Sequence, residues 1–402
     1  MGTRVWTGLV FLLWGVLGAK IAVAADLSLV PSINVQTEFT SNLNYDFKNP
    51  ISDFISTLVY ATEYNYTTET SQLQGRLGLK GMHYFRESSA DHVDQNYQIN
   101  GKYQVAPRWN LSLRSAYITD STLQEELTAS GLIMSRTPRQ SIGLSPGVAY
   151  NITERLRATV NYSFNKVNYQ DPRFRNYTSQ YVGLNLSFPL KNQKTVLHGN
   201  ITGQQTEYSS GSDLFRSLGF NVGANHKFTE NWDFNFLGGV NISFMNFNTQ
   251  VQDFSQFPFF VTTTTARVQK TTVGPYFSLF TTRRWTNLSI TGGYTRNQGG
   301  SAFGTVSDLN TFNLSGRYAF TERLSGTILA NYYFSTQISQ TNELENAFLS
   351  FSPQLAYRVT EKLWTSVGYS FNMRNDISGG RSADAHIAWV MLTYSYPIHY
   401  QK

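Results

Sequence analysis

The sequence predicts an all-β protein, a transmembrane antiparallel β-barrel of about 18 strands, within a range of 16–18. Three observations predict it. The chain of 402 residues is poor in charged residues, at 14%, and rich in aromatic residues, at 15%. Apolar and polar residues alternate along most of the chain, as in strands with one apolar and one polar face. The connections between these segments are alternately short and long, which is typical of outer-membrane barrels.

The composition excludes several other classes of protein. A polytopic helical membrane protein would need several apolar runs of about 20 residues, and the abundant aromatic residues argue against intrinsic disorder. Because the chain has no cysteine, it cannot form disulfides, thiolate metal sites or covalent links to c-type haem. The net charge of +6 is small for this length, so we expect no nucleic-acid partner.

Residues 1–24 are predicted to be a signal peptide. Arg4 gives a positive start, residues 5–17 are mostly apolar, and Ala22 and Ala24 form a small-residue cleavage site. An uncleaved N-terminal anchor helix is the alternative, but the apolar run is short for a membrane span. We therefore expect residues 25–402 to form the barrel.

Each predicted strand is a segment in which apolar and polar side chains alternate. Val160, Tyr162 and Phe164, for example, alternate with Asn161 and Ser163, and β-branched and aromatic residues of this kind favour strands. The approximate strand spans, in order, are 28–40, 53–66, 71–85, 96–105, 109–119, 139–150, 155–166, 177–190, 195–204, 214–228, 232–245, 264–280, 285–296, 308–320, 324–335, 346–359, 363–374 and 384–400.

The short connections share a motif. Thr-Glu-x turns followed by Leu or Trp occur at 153–155, 229–231, 321–323 and 360–362. They follow even-numbered strands, whereas odd-numbered connections such as 120–138 are longer and polar. An even number of strands places both ends of the barrel on the short-turn, periplasmic side. The pattern predicts a protein of the Gram-negative outer membrane, in contact with its lipid.

Aromatic residues are predicted to mark the two membrane interfaces. Trp109, Trp232, Trp285 and Trp364 lie beside short turns, whereas tyrosines such as Tyr60 lie further along their strands, toward the long loops. A soluble array of β-sandwiches or a β-propeller would need linkers or blade repeats. The sequence contains neither, which favours the closed membrane barrel.

The start of the predicted barrel resembles a family of porin-like bacterial barrels. The segments that carry the resemblance are Pro31-Ser32-Ile33-Asn34-Val35, Phe39-Thr40-Ser41-Asn42 and Ser52-Asp53-Phe54. Some members accompany exopolysaccharide-export loci, and others are the barrel partners of multihaem electron conduits. The alternating segment from Leu392 to Tyr400 is similar to the C-terminal strand that the barrel-assembly machinery recognises in bacterial barrels. The resemblance implies an outer-membrane channel or sheath, assembly by that machinery, and no catalytic residues.

The polar face is predicted to line a water-filled lumen, because barrels of about 16–18 strands enclose a channel. On this face we find the acidic residues Glu38, Glu63 and Asp233. The basic residues predicted to line the pore are Arg76, Lys80, Lys102, Arg114, Arg157, Lys270 and Arg317. A net positive lumen concentrates anions. We therefore predict a porin-like channel for passive uptake of small hydrophilic solutes, leaning to anions and oxyanions; if these charges pair with one another, the selectivity is negligible.

The third long connection, 120–138, is predicted to narrow the pore. It carries Glu125 and Glu126 among leucine and isoleucine residues, so it is too apolar for a loop that is simply exposed to solvent. Folded inward like the third loop of general porins, it would set these carboxylates opposite Arg114 and Arg76. The alternative is that it packs over the mouth or makes a subunit contact.

Two further functions stay open. The barrel could sheathe a multihaem cytochrome, which would then be its periplasmic or outer-membrane partner, or it could export exopolysaccharide. Few aromatic residues fall on the polar parity in mid-strand, which counts against export. We predict no enzyme, since no two of the six histidines have the spacing of a metal pair and no catalytic set stands out. No cofactor and no metal ion is expected.

Overall fold

The computed structural model describes residues 26–121, 137–172, 174–209, 213–253, 262–300, 306–338 and 343–401. These residues form one closed, antiparallel barrel of 18 strands, as the sequence predicts. The described helical structure is a single short 3₁₀ turn, Ser88–Ala90. No helix in these ranges has the length and apolar character that a membrane span requires.

The strands follow one another around the barrel in chain order. Those of the first half are β1 (Asp26–Thr40), β2 (Asp53–Thr67), β3 (Ser71–Tyr84), β4 (His92–Ala106), β5 (Trp109–Ser121), β6 (Pro138–Asn151), β7 (Arg157–Tyr169), β8 (Tyr177–Pro189) and β9 (Thr195–Tyr208). Those of the second half are β10 (Leu214–Thr229), β11 (Trp232–Asp253), β12 (Thr262–Arg284), β13 (Leu288–Gly300), β14 (Val306–Ala319), β15 (Leu324–Ile338), β16 (Glu343–Arg358), β17 (Leu363–Asp376), β18 (Arg381–Ser395) and β19 (Ile398–Gln401).

Strand β1 closes the barrel. It pairs with β2 on one side and, on the other, with β18 over Ser32–Thr40 and with β19 over Asp26–Leu29. Pro397 separates β18 from β19, because a proline offers no N–H to a ladder. The short β19 therefore continues β18, and the 19 strands make an 18-strand wall.

Each of the 18 predicted spans corresponds to an observed strand, and the largest difference lies at β11 and β12. Their hairpin pairs as far as Asp253 and Thr262, well beyond the predicted end at residue 245. The β12–β13 ladder, in contrast, ends at Phe277 and Arg296. Pro275 lies two residues beyond that point and has no N–H to offer a neighbouring strand.

The continuous strand register assigns every wall residue to one of two faces. Ile201, Phe220 and Val240 are direct cross-strand neighbours on the apolar face, and their side chains are 43–48% exposed to solvent. Soluble monomers rarely expose continuous apolar surface on this scale. The apolar face is therefore the outer, lipid-facing one, and the protein is an outer-membrane barrel with its polar face turned to the lumen.

Outward-facing tryptophans lie at the periplasmic rim. The Trp232 indole N–H donates to Thr281 Oγ1 at 2.9 Å. The Arg283 guanidinium lies over the Trp232 and Trp285 rings, at 5.4 and 4.8 Å from their centroids. Trp109, at the same rim, stacks against Tyr150 at 4.4 Å. These rings have the arrangement expected at a membrane–water interface.

Trp364 does not belong to this outer girdle, contrary to the sequence prediction. Its cross-strand partners are Arg358 and Thr393, both on the polar face. The Arg358 guanidinium lies 5.8 Å from its ring centroid. Trp364 therefore faces the lumen, since closeness to a turn does not determine which face a residue occupies.

The repeated Thr-Glu-x turns owe their threonine to a local hydrogen-bond requirement. Thr153 Oγ1 accepts the backbone N–H groups of Arg155 at 3.2 Å and Leu156 at 2.9 Å. Thr321 and Thr360 make the same pair of hydrogen bonds. A hydroxyl that satisfies two turn amides fixes a tight reversal, which explains the repeated motif at the periplasmic end.

Candidate functional site in the barrel lumen

The strand register shows where each sequence-predicted basic residue lies. Arg76, Lys80, Lys102, Arg114, Arg157, Lys270 and Arg317 all lie on the inner, polar face. They differ in depth: Arg157 and Arg317 lie beside periplasmic turns, whereas Lys270 opposes Met245 near the extracellular end. The seven residues therefore do not form one ring.

Three of them surround Asn100 on β4. Asn100 opposes Arg114 on β5, and its Oδ1 accepts a hydrogen bond from Arg114 Nε at 2.9 Å. Lys102 lies two residues along β4 on the same face, and Arg76 is a diagonal neighbour on β3. Diagonal cross-strand neighbours are about 7–8 Å apart. We call Arg76, Lys102 and Arg114 the basic cluster.

Most of this positive charge has no carboxylate partner. Arg76 Nη1 lies 3.7 Å from Glu63 Oε1 in an exposed pair. Lys80 opposes Asp94, but the contact that Asp94 makes is with His92 Nε2, at 3.4 Å. Within the described part of the chain, six of the seven basic residues form no salt bridge.

The inner face carries further basic residues that the sequence prediction did not include, and Arg139, Arg284 and Arg381 each form a salt bridge. Arg139 donates to both oxygens of Asp120, at 3.0 and 2.9 Å, and is largely buried. Arg284 pairs with Asp233 at 2.6 Å, and Arg381 pairs with Asp376. These pairs neutralise one another near the rims, whereas five of the seven predicted basic residues lie on β3–β7.

The first long loop, residues 41–52, folds into the mouth of the barrel; we call it loop L1. Tyr45 accepts a hydrogen bond from Asn372 Nδ2 at 3.1 Å, and its ring meets Phe348 edge-on at 5.7 Å. Both partners lie on the inner face. The Tyr45 side chain is only 6% exposed, and its φ of 50° lies in the left-handed region that L-residues rarely adopt. The tertiary contacts hold this strained residue in place.

Loop L1 is anchored on both sides. The Arg374 and Arg381 guanidinium groups both lie over the Phe47 ring, 4.7 and 4.9 Å from its centroid. On the other side, Leu43 packs against Ile55 and Tyr84 of β2 and β3. The loop therefore crosses the inner face on both sides of the β1–β18 seam and narrows the mouth.

Asp46 organises the tip of L1. Its Oδ1 accepts the N–H groups of Lys48 at 2.8 Å and Asn49 at 3.0 Å. These hydrogen bonds, followed by the nearby positive charge of Arg374, hold the pKa of the Asp46 carboxyl below its ordinary value. The ionised carboxylate thus stabilises the folded loop.

The predicted constriction residues Glu125 and Glu126 lie outside the described residues. The inward-folded loop that the structure describes in most detail is L1, which the sequence prediction did not single out. The signal was present: Leu43, Tyr45 and Phe47 alternate within a connection that should otherwise be polar.

Apolar side chains also pack on the inner face near the extracellular end. Phe174, from the loop after β7, packs on Val167 and Tyr169, and Phe215 packs on Tyr208 and Met245. Burial of inward-facing apolar groups at this level indicates that the mouth is lined by packed side chains, whereas the wall below it is polar.

The lumen wall carries more aromatic residues than the sequence prediction allowed. Tyr181, Tyr276, Trp364 and Trp389 all lie on the inner face. The Trp389 ring occupies the space above Gly368, where a Cβ atom would clash with it. The expectation of few aromatic residues on this face was wrong. Where a strand carries aromatic residues on both faces, the alternation of apolar and polar residues no longer shows which face each one occupies. In the described ranges, no group of three or more potential metal ligands is found.

Comparisons with known proteins give structural neighbours only. No protein-family model matches the chain, and no curated protein matches it. OccAB3 of Acinetobacter baumannii is 13% identical, with a TM-score of 0.45 over 92% of this chain and 99% of that chain. OpdK, an outer-membrane protein of Pseudomonas aeruginosa, is 11% identical, with a TM-score of 0.46 over 93% and 99%. OccAB4 of A. baumannii is 10% identical, with a TM-score of 0.48 over 95% and 100%.

Proposed function

We propose that this barrel is a porin-like outer-membrane channel for passive uptake of small hydrophilic solutes, with a preference for anions and oxyanions. The observation that carries this proposal is a set of inner-face basic residues on β3–β7 that form no salt bridge with a described residue: Lys80, Lys102, Arg114 and Arg157. Together with Arg76, which Glu63 only partly offsets, they give β3–β7 a net positive charge. No catalytic role is assigned to any residue of the barrel.

Coulomb's law gives the size of the expected preference. A unit charge about 7 Å from a permeating ion contributes about 0.6 kcal/mol in a fully aqueous lumen, or about a threefold change in local ion concentration. The low-dielectric wall focuses the field and raises this value, whereas salt screens it over about 10 Å at 0.1 M. The basic cluster should therefore produce a moderate anion preference that weakens at high salt.

The test is the reversal potential of the refolded barrel in a planar bilayer under a potassium chloride gradient. We expect an anion-selective open channel, and we expect the double variant Lys102→Gln with Arg114→Gln to lose most of the preference. Arg283→Gln is the control, because it removes a positive charge from the outer face. An unselective channel, or equal effects of the two substitutions, would contradict the proposal.

The second candidate is export of a polysaccharide, which the inward-facing Trp364, Trp389, Tyr181 and Tyr276 favour as stacking surfaces. Soluble oligosaccharides would then block the current, whereas inorganic phosphate would not. A sheath around a cytochrome is favoured less, since a threaded protein would have to displace L1 from Asn372 and Phe348.

We also propose that residues 1–24 are cleaved and that the barrel-assembly machinery inserts the protein. N-terminal sequencing of the mature protein would test the first proposal, and depletion of that machinery would test the second.

A further inference from the structure

A notch of about 390 Å³ interrupts the outer wall across β8–β11. It lies at Gly203, an outward-facing position between Val182 and Leu218. A Cβ atom at Gly203 would touch only Val182 Cγ1, at 3.4 Å. Val182, Leu218 and Phe244 leave apolar surface exposed around this gap. The floor and sides of the notch therefore suit a hydrocarbon chain.

A polar ledge closes the extracellular end of the notch. Gln180, Gln205 and Arg216 are consecutive cross-strand neighbours on the outer face, one row above Gly203. Arg216 Nε donates to Gln205 Oε1 at 2.9 Å, and Gln205 Nε2 donates to Glu207 Oε1 at 2.6 Å. This chain of hydrogen bonds fixes the orientation of the guanidinium group on the lipid side of the wall.

The positive charge beside the ledge is not held in a salt bridge within the described structure. Arg216 and Lys166 are both exposed on the outer face, and neither forms a salt bridge with a described residue. The nearby Glu207 accepts a hydrogen bond from the neutral Gln205 amide and keeps its charge, so Arg216, Lys166 and Glu207 together leave this region with a net charge of +1. The remaining guanidinium N–H groups of Arg216 make no hydrogen bond to a described residue and suit the planar, two-point recognition of a phosphate that arginine favours.

We infer that this notch binds one anionic, phosphate-bearing lipid of the outer leaflet, with an acyl chain over Gly203 and the phosphate on Arg216. The charge and the apolar notch are complementary to these two parts of the same molecule. An exposed cation at the boundary of the hydrocarbon region contributes attraction to anionic headgroups. The site lies on the outer wall and is independent of the proposed channel activity.

The experiment uses the full-length barrel in phosphatidylcholine nanodiscs doped with diphosphorylated lipid A. The lipid A retained per barrel is measured by mass spectrometry after detergent extraction and affinity purification. We expect retention by the wild type and a loss of about tenfold in Arg216→Gln, since a charge-assisted hydrogen bond is removed. Gly203→Leu, which fills the notch, should have a similar effect.

Two matched variants control for lipid that merely coats the barrel. Gly199→Leu fills another outward-facing glycine position with open space around it, and Arg283→Gln removes an outward-facing arginine at the periplasmic rim. Both should retain lipid A at the wild-type level. Equal retention by all variants, or equal loss in the controls, would overturn the inference. Inorganic phosphate at millimolar concentration should not displace the lipid; if it does, the site binds free phosphate instead.

Discussion

Two sectors of the lumen wall have the same strand pattern and different chemistry. The first, which we call the basic sector, is the inner face of β3–β7, and it carries Arg76, Lys80, Lys102, Arg114 and Arg157. The second, which we call the uncharged sector, is the inner face of β8–β11 at mid-strand, and it carries amides and hydroxyls, among them Asn185, Asn200, Thr202, Asn221 and Asn241. Both sectors give the lumen a polar wall, but only the first gives it a net positive charge. Alternation therefore determines the barrel, whereas the choice of polar residue would determine which solutes the proposed channel favours.

The inner face of the uncharged sector is closely packed. The Asn185 and Asn200 side chains hydrogen-bond to each other across β8 and β9. Glycines at 219 and 239 give the Asn241 and Asn221 side chains room to lie flat on the wall. Asn221 Oδ1 and Ser243 Oγ are buried and have no hydrogen-bond partner among the described residues. They differ in this burial from the exposed basic groups of the other sector.

The largest effect is expected from reversing charge in the basic sector. Lys102→Glu with Arg114→Glu changes the lumen by four charges, at about threefold in local ion concentration per charge, so the channel should become cation-selective. Asn185→Glu with Asn200→Glu adds only two charges and should weaken the anion preference without inverting it. Reversal potentials of the two double variants decide this. An inversion in the second but not the first would mean that selection resides in the uncharged sector.

A smaller effect is expected from crowding the uncharged sector. A Cβ atom on Gly239 would lie well inside contact distance of the Phe220 carbonyl oxygen, and overpacking of this kind costs about 1–3 kcal/mol. Gly239→Ala should therefore lower the midpoint temperature of thermal unfolding. This midpoint is measured from the loss of the compact band on gels of unboiled samples. Gly299→Ala, on the inner face with no described atom within 4 Å of its Cβ position, should unfold like the wild type. Equal midpoints for the two variants would contradict the close packing.

The smallest effect is expected at L1, which borders the basic sector. The pKa of Asp46 is lower in the folded loop than its ordinary value, so its stabilisation is complete above that ordinary value. It is lost as the pH falls through the lowered pKa. Open-channel current noise should therefore rise only under acid conditions, and Asp46→Asn should remove this dependence while leaving ion selectivity unchanged. A variant whose noise follows the wild-type pH profile would show that another group controls the loop.

The sequence was sufficient for the wall because its rule is local. The face that a residue such as Phe220 occupies follows from the alternation of apolar and polar residues around it. Lipid on one side of the wall and water on the other fix which set of alternate positions faces outward. The lumen basic residues followed from the same rule. The prediction for Trp364 was wrong because closeness to a turn does not determine the face of the wall; the alternation along the strand determines it. The docking of Tyr45 on Asn372 depends on a contact 327 positions apart in sequence, which exists only once β1 lies beside β18.

That seam also sets how the barrel must form. The hydrogen bond from the His386 N–H to Ser41 Oγ joins residues 345 positions apart, and the whole β1–β18 ladder is of this kind. Until it forms, both terminal strands present unpaired backbone groups, which readily pair with another chain. Non-local pairing of this sort is slow, because the entropy of closing the loop must be lost before any contact is gained. Folding of this barrel should therefore end with a single late zipping step, and damage to the seam should appear as aggregation rather than as a leaky channel.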